Sequence, residues 1–299
     1  MKIVFIGNIY FSYILLKTIF AFNSKYIIGV ITNKNKKKPD YFNLVKFCKK
    51  KKISYVLTKN INSLNNYKWI MRKKPDLICC FGWSQLIKNK ILNLAKIGSI
   101  GYHPAQLPMN RGRHPIIWTL VLGMKFTYST FFFMTNKADF GKIINKKKLK
   151  VFEEDNSWKL YKRLTKVASG QLINILKKIK SGSNFYKTQN KIIFLKRKQN
   201  FWRKRNYVDG KIDWRMTGSS INNLVRALDK PFPGSHFIFK NKTYKVWKIK
   251  FEKRKDLKNI EPGKVINLNK KMPEIKCDQG SIIIKKMSPK LNLKIGDYL

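Results

Sequence analysis

The stretch MKIVFIGNIYFSYILLKTIFAF, residues 1–22, joins an apolar run that ends at Gly7 to a segment whose apolar side chains recur at helical spacing. A short apolar run that ends at a glycine is typical of a buried strand. Apolar residues three and four positions apart mark one face of a helix. The stretch therefore predicts a strand, a tight turn and a helix, in that order.

The same alternation continues through the first hundred residues. Further strands are predicted at 25–32, 53–58 and 75–82, and a further helix at 40–52. Strands with continuous apolar runs that alternate with helices indicate a parallel sheet covered on both faces. We expect an α/β fold with a Rossmann-like, doubly wound, mostly parallel sheet, in which ligands bind at the carboxyl ends of the strands.

The rest of the chain predicts a second, smaller domain. The elements expected before it are a helix at 115–123, a strand at 128–134, a turn leading to a strand at 137–144, and a helix at 157–180. A later helix at 217–230 is followed by short strand-like runs with turn residues between them, which favour a β-rich, barrel-like domain. The predicted divisions are a catalytic domain at 1–180, a linker at 181–205 and a C-terminal domain at 206–299.

Charge by itself does not identify a partner. The chain carries 65 basic and 15 acidic residues, a formal net charge of +50, and of the basic residues 55 are Lys and 10 are Arg. Phosphate and base recognition favours the planar guanidinium of Arg. Since the Lys residues are dispersed along the chain, a general compositional bias explains them better than a dedicated nucleic-acid surface, although the latter stays open.

Several cofactor and location classes are not supported. Cys48, Cys79, Cys80 and Cys277 lack metal-ligand spacing, and we expect neither a disulfide nor a zinc site. The chain has no G-x-G-x-x-G pattern and no P-loop, so a nucleotide cofactor bound in the Rossmann manner is not expected. No run approaches the ~20 apolar residues that span a bilayer, so we expect a cytoplasmic protein without a membrane partner.

Two residues are candidates for acid-base chemistry. His103 directly follows a predicted buried strand, ahead of prolines that stiffen the loop, and suits either a general base or a structural histidine within a turn. Asp139 follows the next strand and suits either a partner for that histidine or a turn former.

These motifs resemble a known family. FGWSQLIKNKILNLAKIGSIGYHPAQLPMNRGRHPIIW, residues 81–118, with KADFGKII at 137–144, is similar to the core of the 10-formyltetrahydrofolate-dependent formyltransferases. Residues 1–12, and 203–237 followed by YKVW, resemble the start and the C-terminal portion of the two-domain members. The resemblance covers nearly the whole chain and implies a one-carbon transferase that needs no metal.

The resemblance assigns the catalytic histidine to His103 and the catalytic aspartate to Asp139. The family's asparagine falls on Gly101, which has no side chain to donate to the formyl oxygen. A donor aimed at a developing oxyanion is commonly worth ~2.7–4 kcal/mol. The substitutes that we consider are a protonated His103, a backbone N–H within 101–104, or a water in the space that the glycine leaves.

The resemblance also implies binding residues. The folate co-substrate, 10-formyltetrahydrofolate, is expected between GWSQLI and the 137–139 loop. The contacts implied for it are Trp83, Leu86, Ile87, Ala138 and Asp139; the first three also suit ordinary core packing. The contacts implied for the amine substrate are Arg111, Arg113, His114 and Trp118. For Arg111, stabilisation of a turn is the alternative.

Three functions remain open at this stage. The pattern H-P-x-x-L-P-x-N-R-G-x-H-P-x-x-W resembles the sugar-nucleotide N-formyltransferases, which formylate UDP- or dTDP-linked 4-amino-4-deoxy sugars for lipopolysaccharide or O-antigen synthesis. Methionyl-tRNA formyltransferases typically carry a long insertion rich in Arg and Gly after the second strand, whereas here the chain passes to the next helix through about eight residues. The third alternative is a non-catalytic protein that binds folate or a nucleotide sugar. The sugar, the nucleotide and the oligomeric state, a homodimer included, are left open.

Overall fold

The computed structural model describes residues 1–34, 39–182, 199–269 and 272–299. The chain forms two compact units. The first comprises Met1–Pro115, Thr127–Leu149 and Lys162–Trp202, and the second Ile116–Phe126, Lys150–Tyr161 and Arg203–Leu299. The units therefore interleave along the chain, whereas the sequence predicts consecutive domains. Most of the predicted linker, 183–198, lies outside the described residues.

The elements up to residue 202 are, in chain order, β1 (Ile3–Ile6), α1 (Tyr10–Phe22), β2 (Ile27–Thr32), α2 (Leu44–Lys50), β3 (Tyr55–Leu57), α3 (Leu64–Lys73), β4 (Leu77–Cys80), α4 (Asn89–Leu92), β5 (Gly98–His103), β6 (Arg111–Gly112), α5 (Pro115–Val121), β7 (Phe126–Phe133), β8 (Ile143–Lys150), α6 (Ser157–Lys180) and β9 (Phe201–Trp202).

Seven of these strands form the sheet of the first unit, in the order β3-β2-β1-β4-β5-β7-β8. The pairs from β3 to β5 are parallel, and β7 runs antiparallel to β5. The order reverses direction between β1 and β4, which is the switch point of a doubly wound sheet. The predicted mostly parallel α/β sheet is confirmed.

Gly7 has a packing reason rather than a role in binding a dinucleotide. A Cβ at this position would lie 2.5 Å from the Cβ of Ser12 and 2.6 Å from the carbonyl oxygen of Phe81. The Ser12 hydroxyl accepts from the Ile9 N–H at 3.3 Å and donates to that same carbonyl at 2.5 Å. The glycine therefore allows α1 to begin directly against the end of β4.

Helix α3 is not predicted from the sequence. Its segment LNNYKWIMRK contains only scattered apolar residues, so helical periodicity is weak. The helix begins after Ser63, whose side chain accepts from the Asn66 N–H, and Trp69 packs where a side chain at Gly29 would otherwise lie.

The second unit contains α7 (Gly218–Ala227), β10 (Ser235–Phe239), β11 (Lys242–Lys253), β12 (Val265–Asn269), β13 (Met272–Cys277) and β14 (Gly280–Ser288). The strands form a sheet in the order β10-β11-β14-β13-β12, with antiparallel pairs throughout. The predicted helix and the β-rich character of this region are confirmed.

Strand β13 is not predicted from the sequence, because polar residues interrupt its run of apolar residues. Glu274 and Lys276 are 4% and 3% exposed. The Glu274 carboxylate accepts from the Ser281 hydroxyl at 2.6 Å and from the Arg254 guanidinium at 3.3 Å. Burial of a charged side chain is tolerated where such partners replace water.

None of the helices in the described ranges is long and apolar enough to cross a bilayer. Residues 1–34, 39–182, 199–269 and 272–299 hold no group of three or more His, Cys, Asp or Glu side chains placed to ligate a metal ion. The four cysteines are buried.

Candidate active site

Strand β5 places His103 at the carboxyl edge of the sheet. The strand lies between β4 and β7, and His103, its last residue, pairs with Thr130 and is 5% exposed. Because side chains alternate along a strand, Gly101 and His103 share one face, while Tyr102 lies on the other. Burial raises the pKa of the Tyr102 hydroxyl.

Both nitrogens of the His103 ring face oxygen atoms. Nε2 lies 2.9 Å from the carbonyl oxygen of Asn110, and Nδ1 lies 3.6 Å from Oδ1 of Asp139. A carbonyl oxygen only accepts hydrogen bonds, so the contact assigns a proton to Nε2. In the neutral ring the lone pair is then on Nδ1, on the side of the Asp139 carboxylate.

The loop between β7 and β8 holds Asp139. This residue has a φ of 61°, in the left-handed region that Asp and Asn tolerate better than most side chains. Its Oδ2 accepts from the Gly112 N–H at 3.2 Å. The structure thus brings His103 and Asp139 together, as the sequence predicts.

Arg111 holds the loop between β7 and β8 in place. It is 5% exposed, and its Nε donates to the Asp139 carbonyl oxygen at 2.9 Å. Nη1 donates to Gln199 Oε1 at 2.5 Å, and the guanidinium lies 3.9 Å from the centroid of the Phe140 ring. Burial lowers the pKa of Arg111, and the nearby Asp139 carboxylate opposes that shift. Arg111 therefore positions the Asp139 loop, in line with the alternative of turn stabilisation, and its contact with the amine substrate stays a prediction.

The variant Arg111→Lys is expected to lower the free energy of unfolding by about 1.5–3 kcal/mol, since an ammonium cannot both reach two acceptors and stack on Phe140. Thermal or urea unfolding measures this change. Arg72→Lys, exposed on α3, is the matched control with an expected change below about 0.5 kcal/mol. Equal stability of the Arg111 variant and the unsubstituted protein would contradict the positioning role.

The other predicted substrate contacts divide between the two units. Arg113 and His114 are exposed in the first unit. Trp118 belongs to the second, where its indole N–H donates to the Arg203 carbonyl oxygen at 3.0 Å and the Arg205 guanidinium lies 4.7 Å from its ring. Trp118 is thus already engaged in contacts within its own unit.

The predicted folate contacts differ in accessibility. Ile87 is fully buried in the core cluster of the first unit, so the prediction of a pterin contact is wrong for this residue. Leu86 is 53% exposed, and Ala138 is exposed. Trp83 is half-buried, and its Nε1 is buried without a hydrogen-bond partner among the described residues.

The space beside Gly101 is filled. A Cβ there would lie 2.8 Å from Cζ of Phe132 and 3.0 Å from Cγ of Met134. A side chain at this position would therefore need Phe132 and Met134 to move. The Gly101 backbone is paired on both sides in the sheet, and Pro104 has no N–H, so neither supplies a free backbone donor.

Restoring an asparagine at this position is therefore expected to destabilise the protein. Gly101→Asn should lower the free energy of unfolding by about 1–3 kcal/mol, because Phe132 and Met134 must leave their positions. Urea unfolding tests this, and the double variant Gly101→Asn, Phe132→Leu should regain part of the loss. An unchanged free energy of unfolding in the single variant would show that Phe132 and Met134 move at no energetic cost.

Three residues of this region were missed by sequence reasoning. The carbonyl of Asn110 accepts from His103, and its N–H donates to Asn200 Oδ1 at 2.9 Å, while Gln199 accepts from Arg111. The only sequence signal for Asn110 is its place before Arg-Gly, which is typical of a turn. Gln199 and Asn200 come from the predicted linker and are separated from their partners by 88 and 90 residues.

Two family models match this chain. A formyl transferase model matches residues 1–176, and a model of the formyl transferase C-terminal domain matches residues 205–299. The chain belongs to the formyl transferase family. The His103–Asp139 pair thus lies within the matched N-terminal region, and the antiparallel sheet within the matched C-terminal one.

Two curated relatives come from Wigglesworthia glossinidia brevipalpis. The bifunctional polymyxin resistance protein ArnA is 35% identical over 238 residues, which are 79% of this chain and 34% of that protein. The chain therefore spans about a third of the ArnA length. A methionyl-tRNA formyltransferase is 28% identical over 299 residues, covering 95% of this chain and 89% of the relative.

A solved structure shares the fold of this formyltransferase. WlaRD, a sugar 3N-formyltransferase crystallised in the presence of dTDP and 5-N-formyl-THF, aligns with a TM-score of 0.67 at 21% identity. The alignment covers 97% of this chain and 99% of WlaRD.

Proposed function

We propose that this formyltransferase transfers a formyl group from 10-formyltetrahydrofolate to the amino group of a nucleotide-linked amino sugar, a 4-amino-4-deoxy sugar in the first instance. The observation that carries the proposal is the buried His103, with its Nδ1 3.6 Å from the Asp139 carboxylate, at the carboxyl end of β5 in a member of this family. Edges of this kind are where doubly wound sheets bind ligands.

The chemistry requires one base. The amine lone pair attacks the formyl carbon, and the C=O π pair moves onto oxygen. Nδ1 of His103 takes the proton that the amine nitrogen loses. The oxygen pair then re-forms C=O as the C–N10 bond breaks, and the protonated His103 returns that proton to N10, which leaves as N–H. Once protonated, His103 donates from Nε2 to Asn110 and faces the Asp139 carboxylate through Nδ1, so both N–H groups of the cation have acceptors.

The residues at the carboxyl end of β4 fit a folate. Trp83 has a buried indole N–H without a partner in the described part of the chain, and Leu86 offers an exposed apolar side chain. A heteroaromatic ring matches this pair, because the half-buried indole ring and the exposed leucine side chain both offer apolar surface to it. Trp83, Leu86 and Ala138 are the contacts that we assign to the co-substrate.

The sugar class is supported by the fold shared with WlaRD and by the short passage from β2 to α2. Part of that passage, residues 35–38, lies outside the described residues. The second candidate is methionyl-tRNA formylation, because the relative with that name aligns over 95% of this chain. The net charge of +50 suits either polyanionic or diphosphate substrates.

The test is formyl transfer by the purified protein to a panel of acceptors. The panel contains UDP- and dTDP-linked 3-amino and 4-amino sugars and methionyl-tRNA, each with 10-formyltetrahydrofolate. We expect kcat/KM for one nucleotide sugar to exceed that for methionyl-tRNA by at least about 10²-fold, a difference of about 2.7 kcal/mol in transition-state binding. A higher value for methionyl-tRNA would establish the second candidate, and folate binding without transfer would indicate a binding protein.

A further inference from the structure

The proposed transfer, on which this inference rests, develops negative charge on the formyl oxygen. The position of the family's asparagine cannot supply a donor, since Gly101 has no side chain and the space beside it is occupied by Phe132 and Met134. Donors aimed at a developing oxyanion commonly contribute a large part of the acceleration. A side chain close to His103 but outside this space is therefore the donor to look for.

Asn110 lies in contact with the His103 ring. Its carbonyl oxygen accepts from Nε2 at 2.9 Å, and its N–H donates to Asn200 Oδ1 at 2.9 Å. These two hydrogen bonds fix the backbone of residue 110 on both sides. The carboxamide of Asn110 is attached to this fixed backbone and so stays in the neighbourhood of the imidazole.

The carboxamide of Asn110 has no partner in the part of the chain that the structure describes. It makes no hydrogen bond to any residue that the structure describes, although the residue as a whole is only 7% exposed. It is also absent from the polar groups sealed from solvent in the described ranges. A ligand can reach this amide, although little of the residue is in contact with solvent. Because the amide has no partner among the described residues, both of its N–H donors are available to that ligand.

The backbone does not by itself require asparagine here. Asn110 has a φ of 60°, a conformation that glycine adopts without steric cost. Asparagine also adopts this conformation readily, so the turn leaves the carboxamide free for another use.

We propose that the Asn110 carboxamide donates a hydrogen bond to the formyl oxygen and stabilises it as it becomes an oxyanion. No proton is transferred in this contact; the amide keeps its hydrogen while the C=O pair localises on oxygen and later returns to form the product amide. One residue then serves both reacting groups, because its carbonyl orients the base and its amide binds the oxygen. This function replaces the side chain that Gly101 lacks.

Asn110→Gly tests the proposal, because glycine retains the backbone conformation and both backbone hydrogen bonds. Asn241→Gly is the matched control: it has a φ of 59° and is exposed in the turn between β10 and β11. We expect Asn110→Gly to lower kcat by about 10²–10³-fold with a small change in KM, and Asn241→Gly to leave kcat unchanged. Equal kcat in the two variants would overturn the proposal.

A second measurement does not depend on the acceptor amine. The infrared band of the formyl carbonyl, isotope-labelled at carbon, is recorded for 10-formyltetrahydrofolate bound to each protein. A donated hydrogen bond lowers its frequency, so we expect the band to rise in Asn110→Gly and stay in place in Asn241→Gly. If the unsubstituted protein formylates no amine in the panel yet shows this difference, the acceptor proposal fails and the role of Asn110 stands. An unchanged band, or failure of the folate to bind, overturns it.

Discussion

His103→Ala is expected to lower kcat for formyl transfer by about 10²–10⁴-fold, the range that general acid-base groups contribute. The substitution removes Nδ1, the ring nitrogen that faces Asp139 and takes the amine proton in the proposed reaction. Nε2 does not serve this purpose, because it donates to the carbonyl oxygen of Asn110. The measurement is steady-state transfer to the best acceptor of the panel, with folate affinity measured in parallel. Affinity for the folate should change little.

Stability must be separated from chemistry in this experiment, because His103 is buried. His236→Ala is the matched control, since His236 is 2% exposed and stacks on Tyr207 in the second unit. We expect both variants to lose about 1–3 kcal/mol of unfolding free energy, while only the His103 variant loses rate. A His103 variant with the rate of the control would remove this residue from the mechanism.

Asp139→Asn is expected to lower kcat by at least about 10²-fold. The amide still accepts from the Gly112 N–H, so the loop keeps its contact, but the negative charge 3.6 Å from His103 Nδ1 is lost. A carboxylate this close to a cation stabilises it by Coulomb attraction, which a neutral amide does not replace. The protonated ring that forms during transfer is then less stable, and the barrier rises.

The free energy of unfolding distinguishes this effect from a purely structural one. Because the contact with the Gly112 N–H is kept, Asp139→Asn should lose less than about 1 kcal/mol of unfolding free energy while kcat falls. Asp76→Asn is the control with an unchanged kcat, because Asp76 accepts from the Lys2 N–H at 2.7 Å just before the amino end of β4. If the unfolding free energy of Asp139→Asn falls well beyond this value, Asp139 acts on loop geometry alone.

Much of the first unit was predictable because its signals are local. β1 and β4 are entirely buried, and such strands need continuous apolar runs, which are visible in the sequence. The placement of His103 and Asp139 near each other was predictable for a topological reason, since neighbouring strands of one sheet carry both. Helix α3 and strand β13 were missed because tertiary packing overrides weak or interrupted periodicity in both.

The role of the arginine beside the site was not predictable. Arg111 in the sequence is one of two arginines in a basic loop, and nothing local distinguishes it from the exposed Arg113. Its burial depends on Gln199, Phe140 and the Asp139 carbonyl, which reach it from elsewhere in the chain. The same holds for Ile87, whose burial in the core is a property of packing.

The sequence by itself determined the doubly wound sheet, the family resemblance, and the pairing of His103 with Asp139, because hydrophobic periodicity and motif order are properties of the chain. Only the tertiary structure decided that Phe132 and Met134 fill the space at Gly101, that Arg111 is buried, and that the carbonyl of Asn110 accepts from the His103 ring. The physical reason is that each of these depends on distances between atoms from separate segments, and hydrogen bonds and van der Waals contacts are decided within tenths of an ångström.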